Sequence, residues 1–193
     1  MKLSDKVFKS GVYGKMKLAT VGIVRSPLKE PSLVAESGDL EWRAEVVKVG
    51  RSRDVTSEIV ISDVFTGILE GLEEFSHILV LYWAHRVTPE GRKLVKAHPM
   101  GRKDLPLVGV FSTCSPARPN PILATVVRLL ERKGNTLTVE GLDAIDGSPI
   151  VDIKPYNPGY YASHDIKIAG WMERIFKDIA RGLSQSPDSI VKQ

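Results

Sequence analysis

Two short motifs hold the residue types that can recognise a ligand or take part in a reaction. The first is Ser115–Pro121, in which three prolines stiffen the backbone and remove three N–H donors. This composition excludes an ordinary strand but allows Arg118 and Asn120 to be held in fixed positions. An arginine binds a carboxylate or phosphate through two hydrogen bonds, and an asparagine amide offers both a donor and an acceptor. A proline-rich corner between two strands explains the segment equally well.

The second motif is Gly141–Tyr156, which carries three aspartates around a predicted turn at Asp146-Gly147. Asp152 and Lys154 alternate with apolar residues, so we expect both to face away from the apolar side of a strand. The alternative interpretation gives these residues no chemistry. In it, Asp146 only shapes the turn, and Asp152 and Lys154 only form an ion pair.

Further candidates lie near the end of the dense apolar run Ser76–Trp83. His85 follows this run, although a histidine at the end of a strand is more often structural than functional. The polar segment Thr88–Pro106 contains five lysines and arginines, and a loop of this length is usually functional or disordered. It is either a solvated loop or a surface that grips RNA. Asn157-Pro158 indicates a turn.

Composition limits the class of protein. The chain has 193 residues, 42% of them hydrophobic, which suits one domain with a real core, and its net charge of +4 favours nucleic-acid binding only weakly. A lone cysteine, Cys114, excludes an internal disulfide and a cysteine-rich zinc site, and it favours a reducing, cytoplasmic setting. No apolar run approaches the roughly 18 residues that span a bilayer. The four histidines lie apart without metal-ligand spacing, so we expect no metal.

Strand patterns dominate the chain and predict a mostly β fold, a small β-barrel with peripheral loops and a C-terminal α-helix. Gly134-Asn135 predicts a tight hairpin turn. We expect a flexible leader at 1–16, the barrel domain at 17–160, and the helix with a tail at 161–193. The predicted strands are 17–24, 43–49, 57–62, 76–83, 107–112, 122–130, 136–142 and 150–156. We further expect a short helix or turn within 67–75 and a long helix at 165–183.

Taken in order, several stretches resemble the TsaA-like (TrmO-type) family of tRNA N6-threonylcarbamoyladenosine methyltransferases. The resemblance covers about residues 17–160. The two long motifs are its strongest part, because they are dense and stand in the expected order. The matching stretches are Val21–Pro27, Glu70–His77, Gly109–Thr113, Ser115–Ile122 and Leu142–Tyr156.

The resemblance implies a homodimeric β-barrel methyltransferase that uses S-adenosyl-L-methionine without a Rossmann fold. It implies methylation of N6 of threonylcarbamoyladenosine, next to the anticodon of a tRNA. The family has arginine at the position of Cys114 and glycine at the position of Leu123, and these differences affect the expected cofactor pocket. By similarity, that pocket draws on Pro31, Ala84, His85, Thr113, Cys114, Leu123 and Leu142.

If the chain is such an enzyme, its acceptor nitrogen is a poor nucleophile, and a carboxylate that takes up its proton assists the reaction. Asp143 and Asp146 are the candidate bases, with Lys154 orienting one of them. Arg118 is the candidate for binding the threonyl carboxylate or an RNA phosphate, and Tyr82, Trp83 or Tyr156 for stacking on a base. The expected RNA-binding residues are Arg92, Lys93, Lys96, Asn120 and Tyr156.

Two alternatives remain open at this point. A β-barrel module that binds S-adenosyl-L-methionine or RNA without catalysis has the same motifs. A metal-dependent hydrolase ranks last, because the histidines are scattered.

Overall fold

The computed structural model describes residues 17–43, 54–162 and 164–180. The predicted leader at 1–16, nearly all of the predicted strand at 43–49 and the end of the predicted C-terminal helix therefore lie outside the described residues.

Ten strands and one α-helix make up the regular structure of this part of the chain, together with several short 3-10 turns. Six strands form a closed antiparallel barrel in the order β1-β10-β5-β8-β9-β4, which confirms the predicted fold class. The other four strands form two small hairpin sheets, β2-β3 and β6-β7. The elements are β1 (Gly22–Arg25), β2 (Leu33–Glu36), β3 (Asp39–Trp42), β4 (Thr56–Ile61), β5 (His77–Trp83), β6 (Lys96–Ala97), β7 (Val108–Gly109), β8 (Ile122–Lys133), β9 (Thr136–Glu140), β10 (Pro149–Pro155) and α1 (Gly170–Ala180).

The barrel core follows from the two-residue alternation of its strands. Ile78, Val80 and Tyr82 point inward from β5 and are at most 2% exposed. They pack with branched apolar side chains of the neighbouring strands, which suit a half-buried sheet surface. At Gly134-Asn135 the two-residue turn joins β8 to β9, with Gly134 at φ +57°, as the hairpin pattern predicts.

The segment 88–106 is not the extended polar loop that its composition suggested. It contains β6 and two 3-10 turns and packs against the β2-β3 hairpin. Leu40 and Ala97 form a second small core between these elements. Asp39 ties them together, because it accepts hydrogen bonds from the backbone N–H of His98 at 2.9 Å and from the Lys103 ammonium.

Two other predictions were wrong in detail, and one open alternative is decided. The stretch 107–112 contains only the two-residue β7 and a 3-10 turn. Of the short helix or turn expected within 67–75, the structure shows a series of turns, with Gly67 and Gly71 at positive φ. The long helix begins at Gly170 rather than at 165, and Asp165 at φ +56° is incompatible with a helical start. Among the described residues, no helix has the length and apolar character needed to cross a membrane.

Candidate functional site

One end of the barrel gathers most of the predicted site residues. Because neighbouring strands are antiparallel, the last residues of β1, β5 and β9 meet the first residues of β4, β8 and β10 at this end. We call it the motif end. The segments that follow or precede these strands there are 26–29, 84–86, 118–121 and 141–148. Four stretches that are far apart in sequence are therefore brought to one rim.

Asp143 is the best-placed carboxylate at the motif end. Its Oδ1 accepts a hydrogen bond from the Tyr82 hydroxyl at 2.8 Å and another from the Thr125 hydroxyl at 2.6 Å. The residue is exposed, and in the part of the chain that the structure describes Oδ2 has no protein partner. The carboxylate is thus fixed by one oxygen and free at the other.

Asp146 has a different role from the predicted one. Its Oδ1 accepts from the backbone N–H of Ser26 at 2.9 Å, and its Oδ2 pairs with the Lys29 ammonium at 2.9 Å. These two contacts, the backbone hydrogen bond first, lower the pKa of the Asp146 carboxyl. Both oxygens are therefore used to hold the segment after β1, and the prediction that Asp143 and Asp146 act as paired bases is not supported. The turn interpretation explains this residue better.

Lys154 lies near the end of β10 and Tyr156 just beyond it, both away from the start of that strand at the motif end. Lys154 is opposite Leu79 near the start of β5, about 17 Å along β10 from the motif end. Its ammonium pairs with Asp152 at 2.6 Å, so the prediction that it orients Asp143 or Asp146 is wrong. Asp152 is the first cause of the raised pKa of the Lys154 ammonium. Tyr156 stacks on Tyr161 with ring centroids 5.1 Å apart, and this face of its ring is already occupied.

Arg118 braces the proline-rich motif from within. Its Nε donates to the Ser115 carbonyl at 2.8 Å and its Nη2 to the Thr113 carbonyl at 2.6 Å. Among the described residues Nη1 of this half-buried side chain has no hydrogen-bond partner, so the prediction of a binding role stays open beside the two contacts that hold the loop. Cys114 and Asn120 are exposed on the same loop.

His85 sits just beyond β5 at the motif end. Burial, followed by the positive charge of Arg86, lowers the pKa of its imidazole, so the ring is neutral near pH 7. Its Nδ1 lies 3.4 Å from the hydroxyl of buried Ser148, which precedes β10. The Ala84 N–H donates to the Pro121 carbonyl at 2.8 Å. The structure therefore joins the Ala84-His85 segment to the ends of both neighbouring motifs.

Two of the predicted cofactor-binding residues serve the barrel core. The Leu142 side chain is fully buried in the core, which leaves only its backbone for a ligand. Leu123 is partly buried and packs against the same core from β8. Pro31 precedes β2 and is joined to the His85 segment through the neighbouring ion pair of Glu30 with Arg86 at 2.6 Å.

Two of the five lysines and arginines of 88–106, the basic segment, form ion pairs within the described residues. Arg102 is 6% exposed and pairs with Asp104 and Asp178, while Lys103 pairs with Asp39. The guanidinium of Arg92 lies over the Trp83 ring, 5.2 Å from its centroid. Of the predicted RNA-binding cations, Lys93 and Lys96 are exposed and form no ion pair within the described ranges.

Sequence reasoning missed how Tyr82 and Thr125 act. Tyr82 was considered only for base stacking, and Thr125 was not among the candidate site residues. Both point toward the barrel interior from adjacent strands, and inward polar side chains near a strand end are the signal that was available. Within the described residues, no cluster of three or more histidines, cysteines, aspartates or glutamates is arranged to hold a metal.

A comparison with protein families identifies the family to which the chain belongs. The model of the tRNA-methyltransferase O N-terminal domain matches residues 46–162. This chain belongs to the tRNA-methyltransferase O family. Its membership confirms the resemblance identified in the two motifs, both of which lie within the matched residues.

Related sequences from archaea and from mouse agree with this assignment. A probable S-adenosyl-L-methionine-binding protein of Pyrococcus abyssi is 38% identical over 154 residues, covering 80% of this chain and 74% of the relative. One from Methanothermobacter thermautotrophicus is 42% identical over 142 residues, covering 74% and 90%. The tRNA (adenine(37)-N6)-methyltransferase of mouse is 40% identical over 100 residues, covering 52% of this chain and only 23% of the mouse enzyme.

Solved structures support the fold of this tRNA-methyltransferase O family member. The crystal structure of TrmO from Pseudomonas aeruginosa superposes with a TM-score of 0.58 at 25% identity, covering 81% of this chain and 63% of the solved one. A further TrmO crystal structure gives a TM-score of 0.59 at 24% identity, covering 92% and 80%.

The described residues fit the cofactor that the family implies. S-adenosyl-L-methionine carries a cationic sulfonium, an α-carboxylate and an adenine. The segments around the motif end offer the exposed carboxylate of Asp143 for a cation and the neutral His85 imidazole for hydrogen bonding. Arg92 Nε is buried without a hydrogen-bond partner among the described residues, and a carboxylate oxygen is the acceptor that suits it.

Proposed function

We propose that the protein is an S-adenosyl-L-methionine-dependent tRNA methyltransferase that acts on N6 of threonylcarbamoyladenosine next to the anticodon. The observation that carries this proposal is the Asp143 carboxylate at the motif end, fixed by two hydroxyl groups and free at Oδ2. The name of the mouse relative, a tRNA (adenine(37)-N6)-methyltransferase, supports the acceptor atom.

When it is bound, S-adenosyl-L-methionine supplies a methyl group that is already activated, so the protein's task is alignment and removal of one proton. Pro31, Ala84, His85, Thr113 and Cys114 are the residues that would hold it. The neutral His85 ring adds no positive charge beside the cationic sulfonium. Leu123 and the backbone of Leu142 would support this region from the barrel.

The acceptor nitrogen of threonylcarbamoyladenosine is ureido-like and a weak nucleophile. The free Oδ2 of Asp143 is suited to accept its proton during methylation, a contribution that typically lies at about 10² to 10⁴ in rate. Arg118 Nη1 would bind the threonyl carboxylate or a phosphate, while Nε and Nη2 hold the loop in shape. Asn120 is exposed on that loop and can contact RNA.

The partners in this proposal are tRNA and a second copy of the chain. Lys93 and Lys96 would meet the phosphate backbone, and the homodimer follows from the family resemblance. We place the activity in the cytoplasm, in line with a tRNA substrate and with one unpaired cysteine. Light scattering at micromolar concentration should give about twice the 21.3 kDa chain mass, and a monomer that methylates tRNA would contradict the dimer.

The decisive experiment compares two tRNA pools, one with threonylcarbamoyladenosine and one from cells that lack it. The purified protein and S-adenosyl-L-methionine are added to each, and the nucleosides are analysed by mass spectrometry. We expect a gain of one methyl group on threonylcarbamoyladenosine in the first pool and none in the second. Equal methylation of both pools would contradict the proposed substrate.

The same samples test the non-catalytic alternative, which the names of the archaeal relatives favour because they state binding alone. A protein that binds S-adenosyl-L-methionine in calorimetry but methylates neither pool would be a binding module. Asp143→Asn serves as the matched control, since it preserves the shape of the side chain while removing its capacity as a base. We expect it to bind the cofactor and to lose methylation.

A further inference from the structure

Tyr82 and Thr125 approach Asp143 from two neighbouring strands of the barrel. Tyr82 lies on β5 and Thr125 on β8, and both side chains point inward where these strands pair. Asp143 follows β9, and its carboxylate reaches back over the motif end to meet them. The three side chains thus join three different elements at one carboxylate.

Both hydroxyl groups donate to the same oxygen, Oδ1, at 2.8 Å from Tyr82 and 2.6 Å from Thr125. Two donors on one oxygen fix the rotation of the carboxylate and leave Oδ2 directed away from them. Each bond is charge-assisted, and such hydrogen bonds are shorter and stronger than neutral ones. The arrangement therefore defines where a proton can be received.

The Tyr82 hydroxyl stays protonated and therefore always acts as a hydrogen-bond donor. Tyr82 is 2% exposed, and burial together with the negative charge of Asp143 raises the pKa of its phenol far above the ordinary value. It therefore keeps its proton throughout the physiological range and cannot replace Asp143 as a base. Its contribution is to position the carboxylate.

We propose that Tyr82 and Thr125 are positioning residues that hold Asp143 by Oδ1 so that Oδ2 receives the proton of the acceptor nitrogen. The inference rests on the proposed function. In the step, the nitrogen lone pair attacks the methyl carbon, and the carbon–sulfur bond breaks with its electron pair left on sulfur. The N–H proton passes to Oδ2, and the electrons of that bond become the new lone pair of the amine nitrogen.

The test uses the full chain with Thr125→Val, Thr125→Ser and Tyr82→Phe. Valine and phenylalanine keep the volume of the side chain while removing the hydroxyl, so the barrel core is preserved. We expect Thr125→Val and Tyr82→Phe each to lower kcat at least tenfold, with KM for tRNA and the calorimetric Kd for S-adenosyl-L-methionine within about twofold of wild type. Thr125→Ser restores the donor and should recover most of kcat.

Thr136→Val and Tyr160→Phe are the matched controls. Thr136 lies at the other end of β9, Tyr160 is 76% exposed, and we expect both variants to keep wild-type kcat. Thermal melting of all five variants shows whether any loss is one of folding. If Thr125→Val and Tyr82→Phe keep full kcat in an active preparation, or lose cofactor affinity as strongly as kcat, the positioning role is overturned. If the wild type methylates no tRNA, the proposed function itself fails.

Discussion

Arg102 and Asp178 join the segment after β6 to the C-terminal helix. Arg102 Nη1 donates to Asp178 Oδ2 at 2.7 Å, and both side chains are largely buried. Asp178 lies on α1, beyond the residues 46–162 that the family domain covers. The helix therefore completes the pairing of a buried cation that belongs to the family domain.

We predict that Asp178→Ala destabilises the protein by about 2 kcal/mol. The change removes one of two carboxylates from a guanidinium that is 6% exposed, and breaking one side of a buried pair leaves charge uncompensated. Denaturant unfolding measures the loss. Lys177→Ala, an exposed change on the same helix, should stay within about 0.5 kcal/mol of wild type. Equal stability of the two variants would contradict a role for this ion pair.

Asp39 should make stability depend on acid pH. Burial raises the pKa of its carboxyl, but hydrogen bonds from Lys103 and His98 outweigh burial and hold the pKa well below its ordinary value. A carboxyl whose pKa is depressed on folding stabilises the protein above its ordinary value of about 3.9, and the benefit is lost as pH falls through the folded pKa. We expect Asp39→Asn to cost about 2 kcal/mol near pH 7.

The pH dependence of the Asp39→Asn effect tests this explanation. The difference in the free energy of unfolding between wild type and Asp39→Asn should become smaller as the pH is lowered below 4. Unfolding curves at several pH values measure this difference. Glu41→Gln, on the same hairpin but exposed, serves as the control and should follow wild type at every pH. A difference in stability that does not change with pH would mean that the amide disturbs packing rather than charge pairing.

Arg118 should affect both the loop and catalysis. Arg118→Ala removes the hydrogen bonds to the Ser115 and Thr113 carbonyls, so we expect kcat/KM to fall at least tenfold, about 1.4 kcal/mol or more. Arg118→Lys cannot reproduce both bonds and should recover little activity. Methylation kinetics with thermal melting test this. Wild-type turnover in a folded Arg118→Ala variant would exclude both roles.

Lys93 and Lys96 are the cations of the basic segment that remain available for RNA. Replacing both with alanine should weaken tRNA binding and lower the slope of log affinity against log salt by about two units, because each phosphate contact releases counterions. Arg128 and Lys133, exposed on β8, provide a double-alanine control of equal charge loss. Indistinguishable salt slopes for the two double variants would show that this segment is only solvated.

The barrel could be predicted from the sequence because a strand is recognisable from the pattern of neighbouring residues. The apolar run of β5 and the Gly134-Asn135 turn need only near neighbours to be recognised. The segment 88–106 was misjudged because it is ordered by partners distant in sequence, Asp39 for Lys103 and Asp178 for Arg102. Nothing in its own composition reveals those pairs.

The candidate site was also predictable only where the signal is local in sequence. Asp143 was recognised from its motif, but the residues that orient it, Tyr82 and Thr125, lie 61 and 18 positions away. Lys154 was predicted to orient Asp143 or Asp146 because they share a motif, yet its ammonium pairs with Asp152. The motif thus indicated which residue types are present but not which partners they have in the fold.

The closed barrel also determines how copies of the chain can meet. Within the described residues, each of its six strands is hydrogen-bonded to a neighbour on both sides, so the main sheet has no free edge. An exposed edge is the usual template for joining sheets or for adding a foreign strand. Assembly of two chains through the main sheet must therefore use its side-chain surface, where substitution of single side chains can weaken the contact.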